Sequence, residues 1–287
     1  MDLSVIIVSY NTRDLTINTI KSVIDTAGSL QYEIIVVDNA SSDDSVLRLQ
    51  KEFKDSITVI VNSENLGFSK ANNQAMKVSK GDYVLLLNSD TIVHPGALES
   101  SFNYIKEHQS IGALGCKVLL RDGSLDKACK RGFPTPWNSF CYALKLDRIF
   151  PRVKAFNGYH LNYLSNDETH EVECIMGAYM LLPRQVLNKV GGLDEDFFMY
   201  GEDVDWCYRI KEAGYSIVYY PQAVITHYKK ASFAKRKEKT IIEFYRSMEI
   251  FYHKHYKDKY SALTTLITYG GIRLQLWMAL LKNKMKK

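Results

Sequence analysis

Three carboxylates fall within four positions, Glu202, Asp203 and Asp205, directly after an aromatic run and a glycine in the stretch FFMYGEDVDWCYRI. A helix from about Val204 to Ala213, closed by Gly214, offers these groups free N–H donors and a favourable macrodipole, which accounts for a cap. One cap suffices for a helix, and the same dipole keeps a spare carboxylate ionised and able to act as a base near neutral pH. A second chemical group is Asp90, which ends the apolar run YVLLLNSD with Asn88 two positions before it. Such an oxygen-rich strand end suits a hard Mg²⁺ or Mn²⁺ ion that also bridges phosphate oxygens. A third is His227, at the end of the apolar run AVITH. A lone histidine there is more often structural, although imidazole is an acceptable ligand for Mn²⁺.

The elements that must position these groups are readable from the apolar periodicity. Four runs, LSVIIVSYN, YEIIVVDNAS, ITVIVNSEN and DYVLLLNSD, are apolar on consecutive positions, as expected of strands buried on both faces of a parallel sheet. Helical spacing lies between them, at Leu15, Ile17, Ile20, Val23 and Ile24 and again in SSDDSVLRLQKEF, where Ser42 or Asp43 is the expected cap. The pattern is a β-α-β-α-β-α-β start to an open, twisted, mostly parallel α/β sheet, whose ligands bind at the carboxyl ends of the strands. Polar residues gather at those ends: Ser9-Tyr10-Asn11, Asp38-Asn39, Asn62 with Asn65, and Asn88-Ser89-Asp90. Strand-to-helix turns favour such residues in any case, but four consecutive turns weaken that explanation.

The first turn, SYNTRD, has no glycine and no Walker A sequence occurs, so a glycine-rich phosphate cradle is not expected. A metal ion with a few side chains is the remaining solution. The section from about 111 to 175 reads as extended or irregular, with a turn at RDGS; its aromatics Trp137, Tyr142, Tyr159 and Tyr163 read as core or as a sugar-binding face. A strand and short helix follow in VECIMGAYMLLPRQVLNKVGG, then the acidic helix, then two short strands around Pro221.

With 46% hydrophobic and 24% charged residues the 287-residue chain has ordinary globular composition. Five widely spaced cysteines without a C-x-x-C pair suggest neither disulfides nor structural zinc, and the opening MDLSVIIVSYN lacks a basic leader, so the cytosol is expected. The net charge of +5 hides an asymmetry. From Lys229 onward 15 Lys and Arg face four Asp and Glu, leaving the rest of the chain at −6. Residues 241 to 256 have amphipathic helical spacing, and SALTTLITYGGIRLQLWMALL, followed by KNKMKK, is near the length of a membrane span but contains Gly270, Gly271, Arg273 and Gln275. An interfacial helix drawn by its lysines to anionic lipid on the cytoplasmic leaflet is preferred over a span, a solvated helix or nucleic-acid binding.

The segments SVIIVSYN, EIIVVDNASSDDS, NLGFSKANNQAM, GDYVLLLNSDT, GAYMLLPRQVLNKVGGLDEDFFMYGEDVDWCYRIKEAGY and YYPQAVITHYKKAS, in that order over about 3 to 232, resemble family 2 glycosyltransferases of the GT-A fold, in particular the bacterial rhamnosyltransferase-like branch. The resemblance implies transfer of a sugar from a nucleoside diphosphate to an acceptor hydroxyl, with inversion and with Mn²⁺ or Mg²⁺. By position, Asp38 matches the base-binding aspartate, and Ser9, Tyr10 and Asn11 the strand end around the nucleotide. Asn65, Lys70 and Asn72 match the approach to the ribose and diphosphate, with Asn72 standing where the family frequently has arginine. Asn88, Ser89 and Asp90 occupy the D-x-D position, Asp90 and His227 being the metal ligands. Asp203 matches the catalytic base. Trp137, Gly177, Glu202 and Asp205 are expected to face the acceptor, a glycan or a polyprenyl-diphosphate-linked glycan.

The expected organisation is a catalytic domain over 1–232, with a nucleotide-binding half over 1–110 and an acceptor half over 111–232, and a basic helical tail over 233–287 that associates with membrane. The alternatives are a sugar nucleotidyltransferase and a non-catalytic glycan-binding protein of the same fold. The oligomeric state is open, with a homodimer as one option.

Overall fold

The computed structural model describes residues 1–229 and 238–285. The lysine-rich stretch between them and the last two lysines lie outside the described residues. The four apolar runs are strands β1 (Leu3–Ser9), β2 (Tyr32–Asp38), β3 (Thr58–Val61) and β4 (Tyr83–Asn88), parallel to one another in the order β3-β2-β1-β4. Their side chains are buried on both faces along β1, β2 and β4, as unbroken apolar sequence requires. Helices α1 (Arg13–Thr26), α2 (Ser45–Phe53) and α3 (Phe68–Val78) connect them. The cap of α2 is Asp44, in the left-handed region at φ 33° and with no side-chain cap bond. Asp43, one of the two expected caps, instead accepts from the Arg13 backbone N–H and the Ser45 hydroxyl.

Beyond β4 a tight turn leads into β5 (Thr91–Val93) and α4 (Ala97–Glu107), and the sheet continues with β6 (Ile111–Leu120). The turn at RDGS is present, closed by Gly123 donating to Leu120 O, with Gly123 at φ 81°. The section expected to be irregular then holds the two-residue strand β7 (Lys130–Arg131) and helices α5 (Pro136–Ala143) and α6 (Leu146–Ile149). Pro136 at the first turn and the Thr135 hydroxyl accepting from Asn138 N explain why a helix starts there rather than a loop. Strands β8 (His170–Val172), β9 (Cys174–Ile175) and β10 (Tyr179–Pro183) follow, then α7 (Arg184–Val190), closed by Gly191 at φ 83°.

Strand β10 enters the main sheet between β4 and β6, antiparallel to both, so the sheet is mixed. The two short strands expected around Pro221 are one strand, β11 (Ser216–His227), with a bulge between Tyr220 and Val224. The bulge accommodates the residue that cannot donate to the ladder. Beyond it β11 runs parallel to β6 and antiparallel to β5, which sets His227 opposite Thr91.

The acidic helix is α8 (Glu202–Glu212), and it starts at Glu202 rather than at Val204, with Gly201 as cap at φ 81°. All three carboxylates therefore stand inside its first turn, and none is the cap. Helices α9 (Glu238–His255) and α10 (Ala262–Met285) form the tail. The buried Phe251, Tyr252 and Tyr256 join the core of the preceding domain, Phe251 meeting Phe133 and Tyr208 at ring separations of 6.5 and 5.8 Å. Asp205 is fully buried and bonds Arg209 Nε at 2.8 Å and His255 Nε2 at 2.7 Å. Its carboxylate joins α8 to α9, which corrects the expectation that it faces the acceptor.

Stripping one partner from a buried charge network leaves the other charges uncompensated, at a cost on the order of 3–5 kcal/mol. Asp205→Ala is therefore expected to lower the denaturation midpoint sharply, whereas Asp14→Ala, which opens an exposed pair with Arg13, leaves it nearly unchanged. Chemical denaturation of both variants checks the contrast; equal midpoints would remove the structural role given to Asp205.

Candidate active site

Parallel register aligns the polar ends of the first strands. Ser9 is opposite Asp38, Asp38 opposite Val61, and Val8 opposite Asn88. Ser9 is fully buried, and its hydroxyl exchanges hydrogen bonds with Thr12 and Thr16, while Thr12 reaches Ser89 at 3.1 Å. Ser9 and Ser89 thus belong to a hydroxyl chain that ties the β1–α1 turn to the β4–β5 turn. Asn11, at φ 53°, accepts from Ser42 N and donates its backbone N–H to Ser41 Oγ, fixing the first turn against the second. Tyr10 and Lys70 are exposed beside these turns.

Asp38 is 1% exposed. One carboxylate oxygen accepts from Ser41 N, and the other has no hydrogen-bond partner among the described residues. A buried acceptor without a donor is costly, so Asp38 is well fitted to receive an N–H from a ligand. Asn39, next in sequence, organises the loop above it. Its amide donates to Asn65 Oδ1 and Gly67 O, and its carbonyl accepts from Leu66 N and Asn62 Nδ2. Asn65 and Asn72 turn inward as well, Asn65 accepting from Gly67 N and Asn72 donating to Phe68 O. Their amides shape the loop and helix that the sequence reading had them extend from.

This loop is stitched to the segment before α8. Phe68 N donates to Phe198 O at 2.7 Å, and Ser69 Oγ donates to Phe197 O at 2.7 Å. Gly67 permits the approach, because a Cβ there would lie 2.5 Å from Phe198 O at a φ of 86°.

At the β4–β5 turn, Asp90 Oδ1 lies 3.0 Å from His227 Nε2, and Asn88 Nδ2 lies 3.3 Å from the same nitrogen. Tyr228 N donates to Asp90 O, which clamps the end of β11 to the turn. The described residues hold no cluster of three or more His, Cys, Asp or Glu side chains able to cage a metal. One carboxylate and one imidazole fit the sparse set that Mn²⁺ or Mg²⁺ accepts when substrate phosphates and water complete its shell.

Asp203 stands in the first turn of α8. Its Oδ2 accepts from Arg131 at 2.6 Å and from Gly177 N at 3.3 Å, and its Oδ1 from Val204 N at 2.8 Å. A Cβ at Gly177 would lie in ordinary contact with Asp203 Cβ at 3.6 Å and with the Phe68 ring at 3.8 Å. Arg131 is delivered by β7, which pairs with β9 so that Arg131 is opposite Cys174. Burial works against the guanidinium charge, yet Asp203 beside it holds the Arg131 pKa well above its ordinary value. Sequence reasoning did not find this residue. It lies between the segments that carry the sequence resemblance, and an isolated arginine in an irregular stretch carries no periodic signal.

Glu202 is buried beside the pair, with Oε2 unpartnered among the described residues. Burial, and next the charge of Asp203, push its carboxyl up to about 8, so it is neutral at pH 7. Trp137 is half exposed on α5, its indole N–H donating to Ala155 O and its ring against Phe140 and Phe156. The structure does not bring it into contact with Asp203. A cavity of about 420 Å³ lies along β6 between Lys117, Leu125 and Asp167, and none of the candidate site residues lines it.

The family model described as glycosyltransferase like family 2 matches residues 2–241. The chain belongs to that family. An N-acetylglucosaminyl-diphospho-decaprenol L-rhamnosyltransferase of Mycobacterium tuberculosis is 27% identical over 229 residues, covering 76% of this chain and 73% of that one. A low-salt glycan biosynthesis hexosyltransferase of Haloferax volcanii is 28% identical over 220 residues, with 75% and 64% covered. Among solved structures, GalNAc-T7 with UDP, GalNAc and Mn²⁺ superposes with a TM-score of 0.62 at 16% identity over 87% of this chain and 48% of the other. The mannosyltransferase PcManGT from Pyrobaculum calidifontis, with GDP-Man and Mn²⁺, gives 0.60 at 19% over 99% and 73%. These likenesses place this family member in the GT-A fold.

Between the ordinary value of 4.5 and about 8 the folded protein holds a proton on Glu202 that the unfolded chain releases. Stability is therefore lost as pH rises through that window. Glu202→Gln removes the loss, so the variant is expected to have a higher Tm than the native protein at pH 9 and no such gain at pH 4. Thermal unfolding at both pH values reads it.

Proposed function

We propose that this family 2 member is a metal-dependent, inverting hexosyltransferase acting in cell-surface polysaccharide synthesis. In this reading it transfers L-rhamnose from dTDP-L-rhamnose to a hydroxyl of a glycan or polyprenyl-diphosphate-linked glycan at the cytoplasmic face of the membrane. The observation that carries it is the carboxylate of Asp203, ion-paired to Arg131 and bonded to Gly177 N, in a chain that also holds the buried Asp38 and the contact of Asp90 with His227. The donor rests on the mycobacterial relative, whose name states both an L-rhamnosyl transfer and a diphospho-decaprenol acceptor.

The chemistry follows from the side chains. The unpartnered Asp38 oxygen is an acceptor, and it matches the imide N–H of thymine or uracil. Asp90 and His227 would hold the divalent cation, which supplies charge stabilisation for the departing diphosphate. Asp203 receives the proton of the acceptor hydroxyl as that oxygen attacks the anomeric carbon from the face opposite the diphosphate. One in-line displacement inverts the centre, and no covalent intermediate is needed. Arg131 holds the Asp203 carboxylate against the neighbouring Glu202, which carries the proton of the pair.

Support for the membrane location comes from α10. It exposes Leu263, Leu266, Ile267, Leu274, Trp277 and Leu281, with Lys282 and Lys284 at its end. Among the described residues no helix is long and apolar enough to cross a membrane, so α10 lies on the surface in this reading.

Two experiments test the proposal. A screen of dTDP- and UDP-sugars with and without Mn²⁺ is expected to show thermal stabilisation and hydrolysis with dTDP-L-rhamnose only when metal is added; a UDP-sugar giving the same response replaces the donor assignment. Asp203→Asn is expected to lower kcat by about 10²–10⁴-fold while leaving the donor Kd unchanged. Undiminished transfer by that variant would falsify the base assignment.

A further inference from the structure

Outside α10, exposed large apolar side chains among the described residues are densest along the chain in the segment from α5 through α6 to residue 154. Trp137, Phe140, Leu144, Ile149, Phe150 and Val153 are each 43–62% exposed within this short stretch. Lys145, Arg148, Arg152 and Lys154 stand among them, all exposed, and none forms an ion pair among the described residues. The only acidic residue of the stretch, Asp147, is buried.

The segment is built rather than loose. Trp137 Nε1 donates to Ala155 O, and Asn157 Nδ2 donates to Phe150 O and Val153 O. The Phe150 and Phe156 rings lie 5.4 Å apart. Its backbone is thus largely satisfied from within while its apolar side chains face outward, an arrangement suited to a headgroup and acyl boundary.

We propose that this segment is a second membrane contact, an aromatic and basic rim that seats on anionic lipid. It extends the tail reading given above and shares its premise of a membrane-borne acceptor. A sugar is a poorer occupant, because Leu144, Ile149 and Val153 offer no stacking face and no hydrogen bond. A second copy of the chain is poorer too, because a two-fold contact would set the four unpaired cations against themselves. Anionic headgroups complement those cations, and aromatic and aliphatic side chains take up the acyl boundary. Asn138 Nδ2 bonds Phe133 O, which anchors the rim to the strand bearing Arg131.

The full chain contains three tryptophans, of which Trp206 is fully buried. In a Trp277→Phe background, Trp137 is the one exposed indole. Vesicles of phosphatidylglycerol and phosphatidylcholine with brominated acyl chains are expected to quench the Trp137 share of emission, measured against the Trp137→Phe/Trp277→Phe protein. The Ile149→Ser/Phe150→Ser variant, with its Tm checked, is expected to partition at least about tenfold more weakly, since the two side chains lose their apolar burial. Vesicle binding with Trp137 unquenched would overturn the rim and leave the tail as sole anchor. Equal, salt-insensitive binding to neutral vesicles would overturn the anionic assignment. A dimer in light scattering that the double variant dissolves would assign the rim to a second copy instead. Absence of any vesicle binding would overturn the rim and the membrane location together, and leave the sugar-transfer reading to its own assay.

Discussion

Two neighbouring carboxyl groups cannot both stay charged in a buried place, and the protein resolves this with one cation. Arg131 pairs with Asp203, their side chains only 11% and 13% exposed, and Glu202 keeps its proton. Which of the two is ionised is thus set by where the guanidinium arrives. Two residues of strand, β7, paired to β9, are what bring it there. Burying the pair is expensive in itself, and the surrounding architecture of β7, β9 and the first turn of α8 exists in the form needed to make its geometry good.

The sheet edge depends on a different constraint. Parallel pairing brings the last residues of β1, β2 and β4, which are Ser9, Asp38 and Asn88, to within one residue of level, and all three are polar. Several side chains at this edge bond to each other, while one buried oxygen of Asp38 has no partner among the described residues. Stitches from Phe68 and Ser69 to the loop before α8 hold that edge to the carboxylate of Asp203. Reaction between two bound partners is sensitive to separation at the ångström scale, so these backbone bonds matter as much as the groups they position.

Much of this was legible in the sequence. Unbroken apolar runs identify buried parallel strands, and acceptor residues at their ends identify a ligand edge. The acidic helix was visible too, though not its first residue, because Gly201 caps it in a left-handed conformation that no side-chain pattern announces. Three features were not legible. Arg131 depends on a long-range pairing of very short strands. Asp205 reads as a site residue until α9 is seen to cover it with His255. Pro221 reads as a break, whereas a bulge absorbs it and lets one strand carry His227 to Asp90. Each case is a tertiary contact overriding a local signal.

The link from Asp205 to His255 bears on how such chains can be recombined. A C-terminal helical hairpin that merely followed the catalytic fold would be interchangeable among relatives, a module to be swapped for a new cellular address. Here the hairpin supplies a partner to a carboxylate on the same helix turn as Asp203, and Phe251 closes over Phe133, next to the strand of Arg131. A chimera would have to inherit these contacts as a set. The tail and the surroundings of the Arg131–Asp203 pair are, in this protein, a single heritable unit.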